Sequence, residues 1–390
     1  MTETTTTETT RNAELRRKAL TVEGSISNAF VGRSEVASGL MLAALSGEHV
    51  LLLGPPGTAK SAITRHFANH FEGAKCFDWL LTKFSVPEEI FGPLSLKLLK
   101  EGRYERIPDG KLPTADFAFL DEIFKANSSI LNALLTAANE RKWHDGAKVH
   151  DLPLRTIIGA SNEMPAEESL LAFFDRFLLR FNVQNVATSA WAFEAILRTG
   201  STFEPTETMT MEELDECRAA VESVDLEQIY KPMFEISKAL EAKDIVVTDR
   251  RWKKAAKIVA ANSWMGGFDS AEVEDLSCLS SVLWSDPKDI PEVQKVVNER
   301  AAAEWGPQAE LADSLLARYE EIKKSEQKDA KLGPFVRDAA NVTKRLLEAA
   351  KSTKSARAKE RINKKGREVQ AALKVIKEMV FHTPDETFDF

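Results

Sequence analysis

Short, wholly apolar runs alternate with longer amphipathic stretches over the first half of the chain, and this predicts strands laid between helices. Val50-Leu51-Leu52-Leu53, Phe117-Ala118-Phe119-Leu120 and Thr156-Ile157-Ile158-Gly159-Ala160-Ser161 have the length of strands buried on both faces. Helix, strand, loop and helix recur in that order through residue 186. The expected fold is α/β, a parallel sheet flanked by helices, with functional residues at the carboxyl edge of the strands. From about 229 to 286 the spacing becomes helical throughout. Phe234, Ile236, Leu240, Ile258, Val259, Leu276, Val282, Leu283 and Trp284 are the expected core of an all-α lid. Beyond 287, Val293, Val296, Val297, Leu311, Leu315, Leu316 and Tyr319 keep helical spacing, as do Val342, Leu346, Leu347, Val369, Leu373, Ile376 and Val380. Gly333-Pro334 between the two sets predicts a break, hence a C-terminal helical hairpin.

Chemistry enters where the first strand ends. Residues 54–61, Gly54-Pro55-Pro56-Gly57-Thr58-Ala59-Lys60-Ser61, form a glycine-rich turn between a buried strand and a helix. Such a turn points successive backbone N–H groups at an anion, and the helix adds its positive end. Lys60 would meet the β- and γ-phosphates of ATP, and Ser61 would offer its hydroxyl to Mg²⁺. Ala59 stands where the usual pattern has glycine, so a negative φ is expected there. The second run ends in Asp121-Glu122, placing one carboxylate to hold Mg²⁺ and one to polarise the attacking water. The third run ends in Asn162, a neutral side chain able to sense the γ-phosphate and orient water.

Lys60, Asp121-Glu122, Asn162, Arg176 and Arg250 together resemble the ordered set of an AAA+ ATPase. Val31-Gly32-Arg33, Ala43 to Gly47, Ala59 and Leu131 to Arg141 are similar to the MoxR group within it. Lys83 to Leu94, Glu101 to Arg106 and Asp249 to Lys254 resemble the RavA subgroup, though no counterpart of its partner-binding β-rich insertion is seen. The resemblance covers about residues 13–285. It implies a hexameric ring that hydrolyses ATP to remodel or activate a protein client, with a partner bearing a von Willebrand factor A domain. It also implies that Arg176 is a finger crossing to the neighbour's γ-phosphate, with Arg180 the competing assignment. Arg250, in the first turn of a helix capped by Thr248 or Asp249, would be sensor 2, with Arg251 competing. A cation there opposes the helix dipole and calls for an anionic partner. Residues 94–112 correspond to the helix-2 insert and residues 141–155, turning at Asp145-Gly146, to the hairpin before sensor 1. Both are expected at the ring's pore or its client.

Composition narrows the setting. No window is long and apolar enough for a membrane span. The threonine-rich start lacks the features of a secretory signal, so residues 1–12 read as a disordered tail. Cys76, Cys217 and Cys278 are widely separated, which suits reduced thiols and a cytoplasmic setting. His66 and His70 lie four apart but lack the glutamate of a zinc-binding helix motif. The net charge is −8 but uneven. Residues 187–228 are read as an acidic connector between a core at 13–186 and the lid, and 351–367 as a basic helix within a C-terminal region at 287–390. That basic segment keeps a nucleic-acid motor as the alternative function, although net charge and the lack of interleaved aromatics oppose it; an ATP-gated scaffold without turnover is the other.

Overall fold

The computed structural model describes residues 2–146, 148–165, 167–185, 207–301 and 328–353. It also describes residues 196–197, 205, 311–312, 314–316, 318–319, 358–359, 362–363, 365–370 and 372–373. Much of the expected connector at 187–206, part of the basic segment and the final residues, including Ile376 and Val380, lie outside them.

Strands β1 (Val50–Leu53), β3 (Cys76–Leu80), β4 (Phe117–Asp121), β7 (Thr156–Ser161) and β8 (Leu179–Asn182) form one sheet in the order β3-β4-β7-β1-β8. Every pairing in it is parallel. The three apolar runs therefore occupy its centre, and all four residues of β1 and all six of β7 are buried. Parallel strands need crossovers, which the helices provide while covering the faces. They are α1 (Thr2–Ala29), α2 (Ser34–Ser46), α3 (Lys60–Ala68), α4 (Pro87–Phe91), α5 (Leu96–Lys100), α6 (Ser128–Glu140) and α7 (Glu168–Phe174). Two small ribbons complete this half: β2 (Phe71–Glu72) beside β9 (Met209–Thr210), and the hairpin β5 (Lys142–Asp145) with β6 (Lys148–Asp151).

Helix α1 revises the expected tail. Leu15, Ala19, Val22 and Ile26 are buried at helical spacing, and the helix extends back through residues 10–12. Asn12 accepts a hydrogen bond from Trp264 Nε1 (2.8 Å), and Arg11 pairs with Glu216 (2.9 Å). The acidic stretch also has structure. Helix α8 (Met211–Glu222) buries Leu214, Cys217 and Val221, while Glu213 pairs with Lys18 (2.6 Å). Its charge thus answers basic residues on α1, an attraction between elements almost two hundred residues apart in sequence.

Helices α9 (Tyr230–Glu241) and α10 (Asp249–Met265), a 3₁₀ segment at Val273–Ser281 and α11 (Ile290–Ala301) follow. Ile236, Leu240, Ile258, Val259, Leu276, Val282, Leu283 and Trp284 are buried as expected, but Phe234 is 61% exposed and lines a groove instead. Val293, Val296, Val297 and Ala301 join the main core, whereas a second core begins at Ala312. That packing argues for a lid reaching Ala301 rather than stopping at 286. In the second core, α12 (Lys328–Ser352) runs through Pro334, so the expected break is absent. Burial of Phe335, Ala339, Val342 and Leu346 along one face outweighs the one backbone hydrogen bond that proline removes. Ala358 and Ile362 of the basic segment are buried against it. Among the described residues no helix is long and apolar enough to cross a membrane.

Candidate active site

The turn from β1 into α3 is shaped by its glycines. Gly54 has φ +148°, and a Cβ there would lie 2.1 Å from the Val183 carbonyl oxygen, so no larger residue fits without moving β8. Ala59 has φ +67°, in the left-handed region, contrary to the negative φ expected for alanine. The chain closes the turn this way because Lys60 must enter α3 at once, and the strain is of the order of 1–2 kcal/mol. Ala59→Gly should therefore raise stability by about 0.5–1 kcal/mol in denaturant melts, because relief of strain exceeds the added unfolded-state entropy. ATP affinity should be retained. A loss of stability would contradict the left-handed geometry.

Lys60 is buried at the head of α3, where Nζ donates to Gly54 O (2.7 Å), Pro55 O (2.9 Å) and Asn162 Oδ1 (3.1 Å). Burial pushes the ammonium below its ordinary range, while Asp121 and Glu122 oppose that shift. Asn162 Nδ2 in turn donates to Glu122 Oε1, and Lys125 Nζ lies 3.2 Å from the same oxygen. Ser61 Oγ is 3.4 Å from Asp121 Oδ2. The structure thus gathers Lys60, Ser61, Asp121, Glu122 and Asn162 at the carboxyl edge of β1, β4 and β7. Glu122 has φ +53°, uncommon for a residue with a side chain and frequent at functional positions. Its amide donates to Asp121 Oδ1 (2.9 Å), which holds the strained turn. A hydroxyl beside a carboxylate is an oxygen donor set suited to Mg²⁺.

Two neighbours were not singled out for chemistry. Arg33, buried against the loop, donates to Thr58 O (3.3 Å) and Gln184 O (2.6 Å) and braces it from behind. Lys125 carried a detectable signal: it lies one helical turn after Glu122. His66 and His70 are buried with ring centroids 4.7 Å apart, and Phe30 packs edge-on against His66.

The arginines lie elsewhere. Arg176 lies three residues before the start of β8, whose first residue, Leu179, bonds His49 O just before β1. This is the amino edge of the sheet. Arg250 donates to Asn139 Oδ1 in the last turn of α6, and Arg141, two residues on, reaches His49 Nε2 (2.9 Å) at the same edge. Four to six residues of strand separate the two edges, roughly 13–20 Å at the usual rise. Arg176 and Arg250 are close enough for each charge to count: burial lowers the Arg176 pKa, and Arg250 lowers it further. Within the chain, Arg250 is paired with a neutral amide.

Their competitors are structural. Arg180 is 1% exposed, donates to Trp284 O (2.6 Å), Phe177 O (3.0 Å) and Phe174 O (3.2 Å), and stacks 3.8 Å from the Phe174 ring centre. Arg251 is equally buried and ties α10 to Val282 O, Phe177 O (3.0 Å), Leu178 O (2.6 Å) and Asp175 (3.2 Å). Burial holds its pKa at about 10, with Asp175 opposing. Neither can reach another molecule. Arg251→Met should cost about 3–5 kcal/mol because three carbonyls and Asp175 lose their donor in the interior. The exposed Arg250→Ala should change stability by no more than about 0.5 kcal/mol. Urea unfolding of both tests the assignment; equal effects would contradict it.

Thr248 caps α10 by accepting from Arg251 N (3.3 Å). The expected insert and hairpin meet. Asp145 accepts from Arg106 N (3.0 Å) and Lys148 pairs with Glu105 (2.8 Å), and Leu96, Tyr104 and Val149 of these segments are each exposed.

Residues 17–225 match a family described as the MoxR domain in the MoxR-vWA-beta-propeller ternary systems, and residues 228–297 match an AAA lid domain. An uncharacterized protein of Methanocaldococcus jannaschii is 38% identical over 318 residues, 80% of this chain and 83% of that protein. The chaperone MoxR1 of Mycobacterium tuberculosis is 30% identical over 159 residues, 40% of this chain and 41% of that protein. A solved protein of Cytophaga hutchinsonii, described as a candidate ATPase, shares the fold with a TM-score of 0.61 at 18% identity, covering 77% of this chain and 98% of that one.

Proposed function

Because the chain belongs to the MoxR family of AAA+ ATPases, we propose that it hydrolyses Mg²⁺-bound ATP within a ring of identical subunits and uses turnover to remodel or activate another protein. One observation carries this reading. The residues around Lys60 and the arginines Arg176 and Arg250 lie on opposite edges of one sheet, which supports a site completed between two subunits. A head-to-tail ring, most simply a hexamer, completes every site.

In this mechanism Lys60 exchanges the Gly54 and Pro55 carbonyls for the β- and γ-phosphates, and the loop's backbone N–H groups receive the remaining oxygens. Ser61 and Asp121 would hold Mg²⁺, which when bound neutralises phosphate charge. Asn162, no longer held by Lys60, orients the γ-phosphate and the nucleophile. Glu122 exchanges the Asn162 amide for a water and polarises it. Arg176 and Arg250 of the neighbour stabilise charge on the transferred phosphoryl group.

The insert and hairpin surface, with Leu96, Tyr104 and Val149 exposed, is the natural client contact. A partner bearing a von Willebrand factor A domain is supported by the family description, which names such a component. A chaperone-like role is supported by the description of the mycobacterial relative. The wording of Lys83 to Leu94 favours the RavA subgroup. Cys76, Cys217 and Cys278 are thiols rather than disulfide halves, which suits the cytoplasm. Affinity capture with a Glu122→Gln variant tests the reading: a protein client should be retained with ATP and released without it. Retention of single-stranded DNA instead, lost at higher salt, would favour a nucleic-acid motor.

A further inference from the structure

We propose that the apolar groove of the lid receives Phe84 from a second copy of the chain, so that a knob beside one subunit's Asp121 strand end seats in a hole beside the next subunit's Arg250. This rests on the ring reading above and names the contact that closes it.

Phe84 is 91% exposed, more than any other large apolar residue described, and Leu80 and Val86 beside it are 57% and 46% exposed. The turn presenting it is firmly held. Phe84 N donates to Thr82 Oγ1 (3.2 Å), Thr82 N donates to Ser85 Oγ (3.1 Å), and Asn127 Nδ2 donates to Ser85 O (2.7 Å). An aromatic ring fixed in this way gives up little conformational freedom on docking.

The hole lies between α9 and α10, a groove of about 730 Å³ lined by Tyr230, Met233, Phe234, Val246 and Trp252 among others. Tyr230, Phe234 and Val246 are 60%, 61% and 76% exposed. Three large apolar side chains around a concave surface of that size mark a binding site rather than scattered surface residues.

Their placement selects the occupant. Phe84 follows β3 at the carboxyl edge, where Leu81 N bonds Asp121 O (2.9 Å), so it flanks the nucleotide half of the site. The groove is lined by Asp249 and Lys253, on either side of Arg250 in the first turns of α10, so it flanks the arginine half. The interface that unites the two halves also brings knob and groove onto facing surfaces. A contact between unlike surfaces of identical chains propagates head to tail, which is what ring closure requires.

The test is a crosslink in the full chain carrying Cys76→Ser, Cys217→Ala and Cys278→Ser together with Phe84→Cys and Val246→Cys, treated with a short bismaleimide in Mg²⁺-ATP. A ladder reaching beyond the dimer supports the proposal, and mixed single-cysteine chains should stop at dimers. An assembled ring by sedimentation without crosslinks would overturn the groove contact while leaving the ring intact, and an intramolecular crosslink would overturn it by making the occupant the same chain. No assembly in any nucleotide state would overturn both. Separately, Phe84→Asp should raise the protein concentration needed for half-maximal assembly about thirtyfold, the size of an interface hot spot. ATP binding by the unassembled chain should be unchanged; unaltered assembly would count against the proposal.

Discussion

Lys60→Ala is expected to lose ATP binding by about 10²–10⁴-fold, whereas Glu122→Gln should bind ATP normally and turn it over about 10²–10⁴-fold more slowly. The first magnitude follows from removing two charge-assisted hydrogen bonds to phosphate, each contributing about 1.5–3 kcal/mol. Lys60 also braces the loop through Gly54 and Pro55, so its loss loosens the cradle itself. Glu122 has a different task. Its carboxylate lies beyond Asn162 from Lys60, where a water rather than a phosphate would be held. Glutamine keeps the shape and the contact with Asn162 but cannot accept a proton, and general-base catalysis commonly contributes about 10²–10⁴. Fluorescent-nucleotide titration and phosphate release separate the two defects. Normal turnover by Glu122→Gln would remove it from the mechanism.

An equal mixture of Lys60→Ala and Arg176→Ala chains is expected to recover ATPase activity that neither has alone, and Lys60→Ala with Arg250→Ala should do the same. An arginine supplied across an interface contributes about 10³–10⁵ to phosphoryl transfer. Each single variant should therefore be nearly silent. Mixed rings contain interfaces where an intact phosphate loop meets intact arginines, and only those turn over. Arg180→Ala should not complement. Its side chain is buried under Trp284 and Phe174, and removal unsettles the fold around β8. Subunit exchange is confirmed first by fluorescence transfer between labelled chains. With exchange present, absence of recovery would contradict the placement of Arg176 and Arg250 across the interface.

Much of this was legible because it is local. The phosphate loop, the Asp121-Glu122 pair and Asn162 each end an apolar run of strand length, and a parallel sheet aligns such ends at one edge. Pattern therefore anticipated the fold and the strand ends at which these residues meet. It misjudged Ala59 because a residue's preference for negative φ is a tendency, and the requirement to close the loop onto α3 overrides it. It misjudged Pro334 for a similar reason, since a proline's missing donor is a fixed local cost while the packing that opposes it lies on other helices.

What sequence alone determined is thus the set of groups that chain order brings together: β1, β4 and β7 with Lys60, Ser61, Asp121, Glu122 and Asn162 at their ends. Only the tertiary structure separated the arginines by burial. Arg176 and Arg180, like Arg250 and Arg251, are near neighbours of identical chemistry, and a periodic pattern cannot say which guanidinium is turned inward. The docking of α10 on the turn before β8, and of Arg180 under Trp284, does so. It encloses Arg180 and Arg251 where backbone carbonyls replace water, and leaves Arg176 and Arg250 at the edge of the sheet opposite Lys60.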